Sequence, residues 1–207
     1  MIIGVFNGAN IIQTPNSALT ELEFTAHDAT SASQSPWSGA TSIYNWAAQW
    51  WTLMIVYPAM SRAQAQPWQA FLLELRGQTN VFLIGNPAEA VPLGSYAGTG
   101  LTFQSATTLN SIVVAGFPAS QNNLFLPGDS IQIGYRLYKV LEPVNSNGTG
   151  GATISIFPQL RDNPVAGTSI ITTNTQGLFR LAKADRNWNY SLTAGYTIPS
   201  IQCMEAL

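Results

Sequence analysis

The chain has 207 residues, of which 46% are hydrophobic and 9% charged, with a formal net charge of −2; at this size a core forms without a covalent staple. The eight basic residues leave no patch for counterion release on nucleic acid, no apolar run reaches the ~18 residues of a membrane helix, and one cysteine and one histidine exclude a cysteine- or histidine-rich metal cluster. Globular domains usually carry about 25% charged residues, so a surface this neutral is either covered by neighbouring subunits or rich in Ser, Thr, Asn and Gln facing water.

Residues 1–20 place Asn7-Gly8, Pro15 and Asn16 among short apolar pieces, the pattern of edge segments or of an arm reaching a neighbour. The opening MIIGVFNGANII has no charged start and no small-residue cleavage site, so assembly in the cytoplasm is expected and not secretion. Leu22, Phe24 and Ala26 alternate with Glu23 and Thr25 as a half-buried strand. Residues 27–41 read as a polar loop exposing Trp37, and Ile43 to Ala48 as either a strand or a bulged lead into the next one. From Trp50 to Tyr57 the residues are aromatic and β-branched up to Pro58, which predicts a strand buried on both faces. The recurrence of Ala65, Trp68, Phe71, Leu72 and Leu75 predicts a helix over 65–76, with Pro67 in its first turn and Gly77 ending it. An earlier start at Ser61, with Gln64 completing a capping box, would leave Pro67 as a kink. Val81 to Ile84 is the returning strand, stopped by Gly85, Asn86 and Pro87.

Beyond a Pro/Gly-rich boundary at 85–100, short strands recur between turns. They are expected at 111–114, along the alternation Ile131, Ile133, Tyr135, Leu137 after the Pro127-Gly128-Asp129 turn, around Ile154 and Ile156, at 169–173 and at 178–182. Their spacing predicts a small antiparallel barrel or sandwich. Asn187–Tyr190 and Tyr196–Met204 read as late strands that return to the first sheet. The organisation is then a mainly β main domain over 1–95, an inserted barrel over 96–182 and a return over 183–207; two consecutive domains are the alternative.

Catalytic chemistry finds little support in these residues. His27 beside Asp28 is the sole imidazole, and Cys203, the one thiol, lies in an apolar terminal stretch where thiols are usually inert. The acids are scattered with no clustered pair, and Asp129 and Asp162 sit in turns, where such side chains bond their own backbone. Gly94, Gly98 and Gly100 lack the Lys-Ser/Thr of a phosphate loop and read as a hinge; Asn147-Gly148-Thr149 reads as a turn. Of the six tryptophans, Trp46, Trp50, Trp51 and Trp68 are expected in the core, Trp188 in sheet packing, and Trp37 free. No catalytic, cofactor-binding or metal-binding residue is assigned. The expected main-domain core is Trp50, Leu53, Ile55, Trp68, Phe71, Leu75 and Phe82, and the candidate interface residues, uncharged and outside the periodic elements, are Trp37, Phe6, Ile11 and Ile12.

Taken in order, the Trp-rich strand, the helix ending WQAFLLELRG (68–77), FLIGNP (82–87), PGD (127–129) with RLYKV (136–140), FPQLR (157–161) and LFRL (178–181) together resemble the distal or minor tail proteins of long-tailed bacteriophages over residues 45–207. The resemblance implies a non-enzymatic virion component. Its β-sandwich or split-barrel main domain, with one packed helix and an inserted barrel, would close into a homo-oligomeric ring, commonly a hexamer. Such a ring joins the tail tube to the hub, tip and fibres.

Overall fold

The computed structural model describes residues 1–15, 19–193 and 195–207. Strand covers 46% of the chain and helix 8%, so sheets and not helix pairs build its cores, in a mainly β, sandwich-type fold. The strands are β1 (Ile2–Phe6), β2 (Ala9–Ile12), β3 (Glu21–Gln34), β4 (Thr41–Val56), β5 (Val81–Ile84), β6 (Thr102–Thr108), β7 (Ser111–Ala115), β8 (Ser130–Ile133), β9 (Arg136–Val140), β10 (Gly151–Phe157), β11 (Ile170–Ile171), β12 (Gly177–Leu181), β13 (Asn189–Ser191), β14 (Gly195–Thr197) and β15 (Ile201–Glu205). Helix α1 (Arg62–Glu74) joins β4 to β5.

The main sheet runs β1-β2-β5-β12-β15-β4-β3 and is antiparallel except where β2 meets β5. Alternation along β4 sends Trp51, Leu53 and Ile55 inward, while Trp50, Thr52, Met54 and Val56 stay half-exposed on the outer face. The strand expected to be buried on both faces is therefore buried on one, and Trp50, placed in the core by its neighbours' hydrophobicity, lies outside it. Against the inner face packs α1. Trp68, Phe71, Leu72 and Leu75 are all but fully buried there with Leu53, Ile55 and Phe82, and Trp68 meets Tyr57 and Phe71 edge-on.

The helix starts at the earlier of the two expected places. Gln64 Oε1 accepts from the Ser61 backbone N–H at 3.1 Å and from the Ser61 hydroxyl at 3.0 Å, the reach-back half of a capping box. Pro67 thus sits in the second turn, where it withholds an N–H from the carbonyl of Ala63. At the other end Arg76 and Gly77 both take positive φ, 48° and 69°, and close the helix.

The second sheet, β11-β8-β9-β10-β7-β6, closes into a barrel. Its ends meet where Phe103 N–H donates to Thr168 O at 2.8 Å and Ile170 N–H to Leu101 O at 2.8 Å. Strand β10 pairs with β7 over 151–155 and then with β9 over 156–157, so the sheet curls round its own core of Phe103, Ile112, Phe125, Ile131, Ile154 and Ile156. The barrel leaves the main sheet after β5 and returns at β12, two strands that are neighbours in that sheet. Residues 177–181 belong to the main sheet, not to the barrel as the sequence expectation had it. Tyr135, expected to alternate inward, instead forms the turn between β8 and β9. Of the two late stretches only β15 joins the main sheet, between β12 and β4; β13 and β14 make a separate hairpin.

Candidate assembly surface

The longest elements of the molecule reach beyond its cores. β3 and β4 have 14 and 16 residues, but β15 supports β4 only as far as Thr52, where it pairs through Met204. Past that point they continue as a two-stranded ribbon to the turn that carries Trp37. A bulge marks the departure: between the pairs Asp28–Gln49 and Thr30–Asn45 a single residue of β3, Ala29, faces residues 46–48 of β4. Residues 27–34, expected in a loop, are strand because the ladder with β4 satisfies their backbone groups. Within the ribbon Trp37 is 96% exposed, Ile43 72%, Tyr44 59% and Trp46 72%. No Asp, Glu, Lys, Arg or His occurs between Asp28 and Arg62. Trp46, expected in the core, is thus on the surface: its strand carries core residues only where β15 lies beside it.

At the opposite border of the sheet, β1 exposes Ile2, Ile3 and Val5. Asn7 and Gly8, with φ of 47° and 82°, make the turn into β2. Residues 16–18, part of the N-terminal stretch read as edge or arm, lie outside the described residues. Of the candidate interface residues, Trp37 is exposed but Ile11 and Ile12 are 1% exposed, because β2 is an interior strand between β1 and β5. Phe6 is half-buried, edge-on to Tyr135 and beneath the Arg136 guanidinium. The projecting arm is therefore 29–48, while 2–12 form the β1–β2 hairpin at the edge of the main sheet. The alternation of Leu22, Phe24 and Ala26 stops before the ribbon, and Ala-Thr-Ser-Ala-Ser-Gln at 29–34 has the composition of a loop.

The barrel is held to the sheet by a buried ionic cluster. Glu205, 4% exposed at its side chain, accepts the Trp51 backbone N–H at 3.0 Å and lies 3.8 Å from Arg136 and 3.2 Å from Arg161. Arg136 also donates to Asp162 at 2.8 Å and to the carbonyl of Ala206, while Trp51 Nε1–H donates to Leu137 O at 3.2 Å. Asp162, expected to bond its own turn, is instead an ion-pair partner. Burial holds the Glu205 carboxyl above its ordinary pKa, against the opposing pull of Arg161, the Trp51 N–H and Arg136; burial also lowers Arg161. The Arg161 contact with Glu205 is an ion pair without hydrogen-bond alignment, and both its terminal nitrogens are buried.

Nearby, Glu89 is pushed up by burial, but hydrogen bonds from Lys139 and Ser130 outweigh this and leave its pKa below the usual value. Gly94, read as a hinge, is anchored: the N–H groups of Leu93 and Gly94 donate to the Asp129 carboxylate at 2.7 and 3.0 Å, and a Cβ on Gly94 would lie 2.2 Å from the Leu124 carbonyl oxygen.

The residues with catalytic potential are kept apart. His27 Nε2 lies 2.8 Å from Thr52 Oγ1, and its ring stacks on Trp50 on the outer face. Cys203 pairs with Leu53 on the inner face, where burial pushes its thiol up to about 12. Such a thiol is not a nucleophile at neutral pH. Among the described residues no group of three or more His, Cys, Asp or Glu is placed to hold a metal ion, and no helix is long and apolar enough to cross a membrane. A cleft of about 270 Å³ between sheet and barrel is lined by Phe24, Trp51, Leu137 and the Glu89–Lys139 pair. No protein-family model matches the chain, and the search of curated proteins gives no match.

Proposed function

We propose that this chain is a structural subunit of a symmetric particle: a ring or adaptor protein of a long-tailed bacteriophage, joining the tail tube to the tip or fibres. One observation carries the assembly part of the reading. The ribbon over 29–48 projects from the sheet with Trp37, Ile43, Tyr44 and Trp46 exposed and no charge to keep it dispersed. A two-stranded ribbon is at best marginally stable alone in water, and an uncharged one invites pairing, so a neighbour's surface is its natural support. An arm at one end of a molecule that is received elsewhere on an identical molecule makes a heterologous contact, and a closed set of such contacts is a ring. The phage-tail part rests on the resemblance, which serves another tail ring, tube or terminator, equally well. Imaging of the assembled particle with an antibody to this chain tests the reading, and absence of the chain from purified virions would refute it.

A second reading, a carbohydrate-binding module of the tail, is favoured by the same exposed rings, since neutral aromatic faces stack on sugars. Glycan-array binding that disappears in Trp37→Ala would support it. An array without signal would remove it.

A further inference from the structure

Resting on the assembly reading above, we infer that the partner of the arm is the β1 edge of a second copy of this chain, which the distal part of β3 extends by strand addition. The main sheet has two borders, β1 and β3; the other five strands are flanked on both sides, except that β4 before Thr52 is open on its β15 side, so the ribbon offers β3 along its outer border. Backbone N–H and C=O groups on the outer side of a border strand need partners, and sheets normally blunt such borders with lysine, proline or inward-facing charge. Neither border carries lysine, proline or an inward-facing charge where it matters; each has one bulge, at Ile2/Gly4 in β1 and at Asp28/Thr30 in β3, and is otherwise open. β1 reads IIGVF, and β3 beyond Asp28 reads ATSASQ. Of the charges of β3, Glu21 and Glu23 lie on the part that the sheet already supports, and Asp28 sits at the root of the ribbon, where its carboxylate accepts from the Gln49 side-chain amide at 2.6 Å.

Electrostatic match points the same way. The β1 border carries no ionisable side chain, and the amino group of Met1 is engaged 3.0 Å from Glu74, so a neutral strand meets a neutral strand without desolvating a charge. Exposed side chains line both faces of β1, with Ile2, Ile3 and Val5 at 53%, 51% and 61%, and a strand laid beside it would cover them with its own side chains. Because the borders are the opposite ends of one sheet, each copy donates at one end and accepts at the other. The contact is heterologous and repeats around the assembly, and the sheets of successive copies become continuous across each junction.

Ile3→Lys and Val5→Lys test this, because both side chains are already in water and the variants keep the fold. The wild type and the two variants are compared by sedimentation velocity over a thousandfold range of concentration, with Val165→Lys, a barrel position 78% exposed, as the control. Backbone amide exchange of residues 3–6 is followed in parallel. The expected result is a shift of at least tenfold in the concentration at which the β1 variants assemble, no shift for Val165→Lys, and slowed exchange at residues 3–6 on assembly. Oligomers that form unchanged in both β1 variants, with residues 3–6 exchanging as fast as in the monomer, would overturn strand addition at β1 and leave the assembly reading standing. A wild-type chain that stays monomeric throughout would overturn both.

Discussion

Replacing Glu205 by glutamine removes the charge at the centre of the cluster that joins barrel to sheet. The glutamine keeps the shape and an oxygen to accept the Trp51 N–H, but Arg161, 17% exposed, loses the carboxylate beside it, whereas Arg136 keeps Asp162. Removing one partner of a buried ion pair destabilises by about 3–5 kcal/mol. The retained hydrogen bond puts Glu205→Gln at the lower end, about 3 kcal/mol, which for a chain of this length lowers Tm by about 6–12 °C. The physical cause is the uncompensated guanidinium and not the lost contact. It follows that Arg161→Met in the same chain, which removes the orphaned charge, should bring stability back to within about 1 kcal/mol of the wild type. Urea unfolding of the two single variants and the double variant measures this. A Glu205→Gln loss below about 1 kcal/mol, or a double variant no more stable than Glu205→Gln, would refute the reasoning.

A second carboxyl of the same region should make stability depend on acid. For Glu89 the folded pKa is lowered, so its contribution is present above the ordinary value and disappears as pH falls through the folded one, and Glu89→Gln should flatten that acid limb. This is read from urea midpoints against pH. Gly85→Ala should lower Tm by several degrees, since its Cβ would lie 1.8 Å from the Thr175 carbonyl oxygen at the junction of sheet and barrel; an unchanged Tm would show that this approach relaxes freely. Trp68→Ala, in the centre of the helix–sheet core, should cost about 3–5 kcal/mol, checked by the same urea titration. Trp37→Ala should leave Tm unchanged and weaken assembly, and a Tm loss of several degrees would contradict its placement in water.

Much of the core was legible because it obeys a period. The helical spacing of Trp68, Phe71, Leu72 and Leu75 and the alternation around Ile154 and Ile156 bury what their patterns say, whereas along 131–137 Gln132 and Arg136 are buried together with Ile131 and Ile133. What escaped was tertiary. Trp50 and Trp51 are adjacent and chemically identical, and the packing of α1 and the barrel on one face of β4 decides that the second one is inward. Trp46 reads as core for the same reason and is exposed because β15 ends before reaching it. The ribbon was missed in β3 because five of its six residues at 29–34 are Ala, Ser and Gln, which carry little strand preference. Its ladder is stabilised by the facing strand, which local composition does not reveal. Ile11 and Ile12 looked like part of a free arm because the parallel pairing of β2 with β5 spans about seventy residues of sequence. The cluster around Glu205 left no sequence signal, since its members come from β9, the segment after β10, and β15.

The central claim is that this neutral chain completes its surface by pairing with copies of itself through the 29–48 ribbon. Native mass spectrometry of the full chain beside a variant in which residues 29–48 are replaced by a two-residue Asn-Gly turn tests it most directly. The account predicts a closed oligomer, six copies by the resemblance, for the full chain, and a folded monomer for the shortened one. A full chain that is monomeric at every concentration, or a shortened chain that forms the same oligomer, would contradict it.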